Sequence, residues 1–120
     1  MKKKIETLFD DWCQAIETGQ SENVLNLYDE NAILLPTLSN TICQTQAQRK
    51  DYFIAFLDKK PKCTCDESYI RVFGNTAINS GSYTFTLKDG SSIQARYTFV
   101  YKEKNGQWNI IEHHSSQMPC

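Results

Sequence analysis

The C-terminal quarter of the chain, from Ala95 to Pro119, constrains the fold more than any other segment. It predicts two strands joined at Asn105-Gly106, because this dipeptide accepts the positive φ angles of a tight hairpin turn. Both strands are rich in aromatic and β-branched residues, but the second ends on the polar run E-H-H-S-S at residues 112–116. Apolar strands that end in imidazoles and hydroxyls, beside an arginine on the neighbouring strand, indicate the rim of a pocket.

The first half of the chain shows helical spacing of its apolar residues. Residues 5–16 repeat in the pattern of an amphipathic helix, which Gly19 is expected to end. Ser21 is predicted to cap a second, short helix, and Ala32–Leu35 to form a short edge strand. Thr45-Gln46-Ala47-Gln48 has the form of a capping box and predicts the start of a third helix.

From Glu67 onward the pattern changes to strands separated by turn dipeptides. Helices followed by an antiparallel meander predict the α+β class, and no linker or repeat divides the chain, so residues 1–120 are taken as one domain. The predicted strands are Ser68–Phe73, Thr76–Leu87, Ser92–Lys102 and Trp108–Ser115.

The strand that begins at Ser92 has apolar character on both of its faces. If helices cover only one side of the sheet, an aromatic face is left open, and it contains either exposed tyrosines or a surface for self-association. We favour self-association, as a homo-oligomer of at least two copies. Ile93, Ala95, Tyr97, Phe99 and Tyr101 point one way, and Arg96, Thr98 and Val100 the other.

Charge and cysteine usage exclude several classes of function. The net charge of −1 gives no electrostatic footprint for nucleic acid or a membrane surface. No apolar run reaches the length of about 18 residues that crosses a bilayer, and acidic residues interrupt any signal-peptide core. An odd number of cysteines without an export signal predicts reduced thiols in the cytoplasm. The cysteines are Cys13, Cys43, Cys63, Cys65 and Cys120.

Several segments resemble the association domain of calcium/calmodulin-dependent protein kinase II and its stand-alone bacterial relatives, including SnoaL-like proteins of the SgcJ/EcaC type. These segments are W-C-Q-A-I-E-T-G from Trp12, S-N-T from Ser39, R-K-D-Y-F-I-A-F-L from Arg49, and the C-terminal pieces R-Y-T-F-V-Y, N-G-Q-W-N-I and H-H-S-S-x-M-P. The resemblance implies a nuclear transport factor 2-like cone, with N-terminal helices packed on a curved antiparallel sheet. It also implies an oligomer with a cavity for a small polar or carboxylated molecule, without a demonstrated reaction.

The chain departs from that family at the end of the last strand. The kinase domain has a sequence similar to H-R-S-G there, whereas this chain has His114-Ser115-Ser116. Ser115 therefore occupies the position where the resemblance implies an anion-binding arginine, and Arg96 on the neighbouring strand is a candidate for the replacement charge.

Arg96 has two interpretations, because a buried guanidinium needs a partner. It either forms a structural ion pair, for which Glu112 is a candidate, or binds a ligand carboxylate in the bidentate manner that suits arginine. Pattern alone leaves open whether Arg96 or Tyr97 points into the cavity, since a one-residue bulge exchanges the two faces.

His113 and His114 leave opposite faces of their strand, so only one of them can line the cavity. Each is either a hydrogen-bonded structural histidine or, in the alternative function, the base of a cofactor-independent isomerase, cyclase or hydratase. In that alternative Arg96 or Tyr97 holds the developing oxyanion. Ser115 shares the face of His113 and is a candidate ligand contact.

Three aromatic side chains are further candidates for the cavity wall, although aromatics at helical spacing are often simply core. They are Trp12, Tyr28 and Tyr52. Cys63 and Cys65 lie on one side of an extended segment, but no further ligands at zinc spacing accompany them, so we predict neither a metal nor another cofactor. The remaining partners considered are a small-molecule ligand and a separate protein for which this chain is an accessory.

Overall fold

A computed structural model describes residues 1–37 and 39–119 of the chain. Three helices and five strands follow one another along the sequence. They are α1 (Lys2–Glu17), α2 (Ser21–Leu25), β1 (Tyr28–Leu35), α3 (Gln46–Leu57), β2 (Lys62–Phe73), β3 (Thr76–Thr86), β4 (Ser92–Lys104) and β5 (Gln107–Gln117). Among the described residues, no helix is long and apolar enough to span a membrane.

The five strands form one curved sheet in the order β1-β5-β4-β3-β2, with the helices against one of its faces. The α+β class, the edge position of the first strand and the four-strand antiparallel meander are confirmed. The sheet is mixed rather than wholly antiparallel, because β1 pairs with β5 in the parallel sense. Because α3 and three strands separate β1 from β5 along the chain, no tight turn sets their relative direction. The sequence pattern therefore did not decide whether the two strands pair in the parallel or the antiparallel sense.

Local signals placed most element boundaries to within a few residues, but β1 begins at Tyr28 rather than Ala32 and β2 at Lys62 rather than Ser68. Asn105 and Gly106 have φ angles of 53° and 80°, as the predicted hairpin turn between β4 and β5 requires. Thr45 and Gln48 form both halves of the capping box that opens α3. The expected cap on α2 is wrong: Gln20 occupies the N-cap, and Ser21 is the first helical residue.

The aromatic face of β4 packs into the core and is not the open face that the pattern suggested. The ring of Phe9 in α1 lies 5.2 Å from that of Tyr97 and 5.9 Å from that of Phe99. Helix α1 therefore covers this face. The opposite face, which includes Thr98 and Val100, is the one left half-exposed.

A β-bulge at Asp66 shapes the outer strand of the sheet. The register with β3 shifts between Cys65 and Glu67, and the Glu67 carbonyl turns toward Gly81. A Cβ atom at position 81 would lie 2.0 Å from that oxygen, so only glycine fits there. The same carbonyl accepts a hydrogen bond from the Tyr97 hydroxyl at 3.1 Å.

Arg49 joins α3 to β1 from inside the protein. Its guanidinium is buried and donates to the backbone carbonyls of Ala32 at 2.6 Å, Glu30 at 3.0 Å and Asp29 at 3.3 Å. Strong hydrogen bonds from a charged donor hold this edge strand against the helix. The segment that follows β1, which includes Thr37, thereby starts from a fixed position.

The expectation of reduced thiols is wrong for Cys13 and Cys63, which form a disulfide between α1 and β2. Their Cα atoms lie 5.4 Å apart, within the usual range for such a bond. The sequence did not suggest this pair because only the packing of α1 across the start of β2 brings the two residues together. Cys43 and Cys65 are free, and Cys120 lies outside the described residues.

We expect Cys13→Ser to lower the free energy of unfolding. The disulfide joins residues 50 positions apart, and loss of a cross-link over that distance costs about 4 kcal/mol in the chain-entropy account. Denaturant unfolding without reductant measures the difference. The control Cys65→Ser removes an exposed free thiol and should change stability by less than about 0.5 kcal/mol. Equal effects of the two substitutions would contradict the assignment.

Candidate functional site

His113 lies at the centre of the core, on the face of β5 that the helices cover. It is 2% exposed and stands opposite Phe99 of β4 and Leu34 of β1 in the strand register. The Phe99 ring stacks on the imidazole with centroids 4.0 Å apart, and the Trp12 ring meets its edge at 5.4 Å. An imidazole surrounded by aromatic rings must have its two nitrogen atoms satisfied by polar groups within the core.

Two tyrosines supply those partners, one on each side of the ring. The Tyr28 hydroxyl lies 2.8 Å from Nδ1 of His113, and the Tyr83 hydroxyl lies 3.1 Å from Nε2. Tyr28 begins β1 and Tyr83 comes from β3, so the imidazole links strands on both sides of β5 and β4.

The directions of the hydrogen bonds on both sides of the ring assign the tautomer of His113. The Trp12 indole N–H can only donate, and it donates to the Tyr28 oxygen at 3.1 Å. The Tyr28 proton is then available for Nδ1 of His113. On the other side of the ring, the Tyr83 hydroxyl gives its proton to Ser115 and so accepts from Nε2, which assigns the proton of the neutral ring to Nε2.

The outer half continues from that proton toward the surface. Nε2–H donates to the Tyr83 oxygen, and the Tyr83 hydroxyl donates to Ser115 Oγ at 2.6 Å. Ser115 is in turn hydrogen-bonded to the Thr37 hydroxyl. With Ser115 as the donor in that bond, every hydroxyl proton up to Thr37 has an acceptor. We call the chain Trp12, Tyr28, His113, Tyr83, Ser115 and Thr37 the relay.

Burial keeps the relay uncharged. Desolvation, with a smaller effect of neighbouring His114, lowers the pKa of His113 from 6.5 to about 3. Burial also raises the pKa of Tyr28 and of Tyr83 far above the ordinary value. At neutral pH the site therefore consists of neutral donors and acceptors.

The space beside the relay is narrow and opens toward a larger depression. The inner space measures about 10 Å³, roughly what one water molecule requires, whereas the outer depression measures about 410 Å³. Thr37, Tyr52 and Phe56 line both. We call the larger one the outer groove; its lining comprises Thr37, Ser39, Thr41, Cys43, Gln48, Asp51, Tyr52, Ala55, Phe56 and Lys59.

Five of the residues singled out from the sequence meet at this site. Trp12, Tyr28, His113 and Ser115 belong to the relay. Tyr52 lies between the inner space and the outer groove, where its hydroxyl donates to the Thr37 carbonyl at 3.0 Å.

The other three predicted site residues lie elsewhere. Arg96 and His114 are exposed on the opposite face of the sheet, so neither reaches the cavity. Arg96 stands opposite Ser116 rather than Glu112, which makes the alternative ion pair unsupported as well. Tyr97 does point into the core, but its hydroxyl donates to Asn79 Oδ1 at 3.1 Å and to the Glu67 carbonyl, away from His113.

Two residues of the relay were not predicted from the sequence. Tyr83 lies two residues from Phe85 on β3, so the alternation of side chains could have predicted that both point into the core. Nothing in the sequence places Tyr83 beside His113, however. Thr37 follows β1 outside any regular element. In the described part of the chain, no three side chains of the metal-binding types cluster together.

A family comparison covers almost the whole chain. The profile of the calcium/calmodulin dependent protein kinase II association domain matches residues 1–119. The chain belongs to this family. No curated protein matches it at a significant level.

Solved structures agree with that family and with the fold. A protein from Xanthomonas campestris, itself proposed to be such an association domain, is 44% identical, with a TM-score of 0.94 over 99% of this chain and 89% of that one. A nuclear transport factor 2-like protein from Pseudomonas putida has 15% identity and a TM-score of 0.85, covering 95% and 84% of the two chains. The nuclear transport factor 2-like cone is thus confirmed.

A protein from Streptomyces avermitilis, proposed to be a dehydratase of the nuclear transport factor 2-like family, is also similar. It has 13% identity and a TM-score of 0.87 over 98% of this chain and 96% of that one. At this identity the likeness shows the shared fold only.

We expect the stability of the protein to fall in acid because of His113. The folded pKa of about 3 lies below the unfolded value of 6.5, so the unfolded state binds a proton that the folded state does not. The contribution of neutral His113 to the free energy of unfolding is complete above pH 6.5 and is lost as the pH falls toward 3.

Denaturant midpoints measured between about pH 7 and pH 5 test this expectation. His113→Gln should flatten the dependence, whereas His114→Gln, on the exposed face, should keep the wild-type slope. The same slope in all three proteins would contradict a buried neutral His113.

Proposed function

We propose that this protein is a self-associating domain in which the outer faces of two sheets pack together. Membership of an association-domain family is the observation that carries the proposal. The geometry supports it through the half-exposed apolar residues Ile78 and Val100 on the face of the sheet that the helices leave uncovered. Ile33 and Leu35 of β1 extend the same face.

The charges around this face suit pairing between identical copies. Arg96 and Glu112 are both exposed there, four residues apart along the register of β4. In a two-fold interface each residue can meet an unlike charge from the second copy, which fixes orientation. The interface would then have an apolar centre and a charged rim.

Val100→Asp should dissociate the assembly, because it places a carboxylate at the apolar centre of the proposed interface. Light scattering on a size-exclusion column should show a mass clearly lower than that of the wild-type assembly. Gln94→Asp is the matched control, since it adds the same charge to an exposed position near the start of the same strand. Wild-type protein that already runs as a folded monomer would overturn the proposal.

The relay supports a second role, the binding of a small uncharged polar molecule in the outer groove. With Ser115 as the donor in its bond to Thr37, the Thr37 hydroxyl keeps its own proton for an acceptor in the groove. Asp51 and Lys59 bring opposite charges to the groove. Ser115 occupies the position where the resemblance to the kinase domain implies an arginine. The groove therefore suits a neutral carbonyl, ether or hydroxyl oxygen better than a carboxylate.

Acid–base catalysis is less well supported than binding. If Thr37 gave its proton to a ligand, successive transfers along the relay would end by removing the proton of Tyr28. Burial raises the pKa of that hydroxyl, so the resulting phenolate is costly. The relay is thus suited to polarising a bound oxygen, and a cofactor-independent isomerase, cyclase or hydratase remains the alternative function.

Backbone NMR titration with benzamide and with benzoate tests the ligand class. We expect benzamide to shift resonances of Thr37, Tyr52 and Ser115 at lower concentration than benzoate does. Thr37→Val should weaken benzamide binding roughly tenfold through loss of one hydrogen bond, whereas Thr41→Val in the same groove should have little effect. Tighter binding of benzoate would contradict a neutral ligand.

A further inference from the structure

Residues 67–73 of β2 leave one edge of the sheet open, whereas α1 packs on the start of this strand, where the Cys63 N–H donates to Glu17. Strand β2 is the last strand in the order β1-β5-β4-β3-β2, so among the described residues it pairs with β3 alone. The opposite edge is partly occupied, because Leu34 of β1 forms a bridge with Cys43. An open strand edge presents unpaired backbone N–H and C=O groups to any second strand that approaches.

The backbone groups that face this edge can be assigned from the hairpin between β2 and β3. Phe73 and Thr76 flank a two-residue turn and form a hydrogen-bonded pair, so the odd-numbered residues of the segment face β3. The backbone groups of Ser68, Ile70 and Val72 consequently point outward. This regular segment begins after the bulge at Asp66.

The side chains on the exposed face of that segment are self-complementary. Glu67, Tyr69 and Arg71 are exposed and alternate along one face, with opposite charges two residues on either side of the tyrosine. Tyr69 is 60% exposed, and its hydroxyl donates to the Glu67 carboxylate at 2.7 Å. Within the described chain Arg71 forms no ion pair.

We propose that the β2 edges of two copies pair antiparallel about a two-fold axis at Tyr69, extending two five-stranded sheets into one. In this register Glu67 of each copy lies opposite Arg71 of the other, and the two Tyr69 rings meet. The backbone groups of Ser68 and Ile70 then hydrogen-bond across the axis. Unlike charges directly opposite each other on neighbouring strands stabilise the pairing.

The neighbouring register, with the axis at Ile70, also matches the backbone pattern but not the charges. It would place Glu67 opposite Phe73, and the two Arg71 side chains would lie diagonally across the axis. Like charges close together on adjacent strands are destabilising. The register at Tyr69 separates the two arginines by four residues along the strands.

This interface is distinct from the proposed contact between the outer faces of two sheets. One uses the hydrogen-bonding edge of β2, and the other uses the face that contains Val100. Both can operate in the same assembly, in which case an edge contact joins face-paired dimers into larger oligomers. Loss of one contact therefore leaves the other measurable.

Disulfide cross-linking tests the register. In a chain with Cys65→Ser and Cys120→Ser, Tyr69→Cys should form a covalent dimer under mild oxidation, because position 69 meets itself on the axis. Phe73→Cys is the matched control: it is equally exposed at 60% and on the same strand, but its two copies would lie about 26 Å apart. Equal cross-linking at both positions, or none at position 69, would overturn the proposal.

Charge reversal provides a second and independent readout. Glu67→Arg and Arg71→Glu, each alone, should weaken the edge contact roughly tenfold, because each creates two like-charge pairs. The double variant restores both unlike pairs and should recover wild-type association by sedimentation velocity. Additive weakening in the double variant would overturn the pairing.

Val100→Asp separates this inference from the proposed function. It should leave cross-linking at Tyr69→Cys unchanged even where it abolishes the contact between sheet faces. Loss of the cross-link in the Val100→Asp chain would show that position 69 meets its copy only through the face contact, and would overturn a separate edge interface.

Discussion

Burial of a neutral imidazole among aromatic rings is the constraint on which the site depends. His113 is almost completely buried, so both of its nitrogens need partners from within the fold. Tyr28 and Tyr83 supply them from β1 and β3, at distances of 2.8 and 3.1 Å. This requirement couples the edge strand to the middle of the sheet and orients Trp12 through its bond to Tyr28. Loss of either tyrosine would leave a buried nitrogen unpaired.

Burial of the uncharged relay on the inner face of the sheet also separates the two roles proposed for the protein. The inner face of the sheet contains the relay and keeps it uncharged, which favours neutral ligands at Thr37. The charged groups Arg96 and Glu112 lie on the outer face, where contact between copies can use them. Ser115 occupies the position where the family resemblance implies an anion-binding arginine, which is consistent with the neutral ligand proposed for the groove.

Much of the fold could be predicted from the sequence, because it depends on local patterns. Periodicity, the Asn105-Gly106 turn and the capping box at Thr45 each have a physical cause within a few residues. The side-chain parity of β4 was also correct, with Tyr97 and Arg96 on opposite faces. Parity does not say which face the helices cover, however, so the aromatic face was taken for the open one.

The site was less predictable because it depends on contacts between distant segments. His113 and Ser115 were found from the polar end of a strand, but Tyr83 reaches them from two strands away in the sheet order. Thr37 has no pattern of its own. The parallel direction of β1 and the Cys13–Cys63 bond likewise follow from packing alone. The most direct test of the central claim is the ¹⁵N chemical shifts of the His113 ring at neutral pH. The relay predicts a protonated Nε2 and an unprotonated Nδ1, whereas two protonated nitrogens, or averaged shifts from exchanging tautomers, would contradict it.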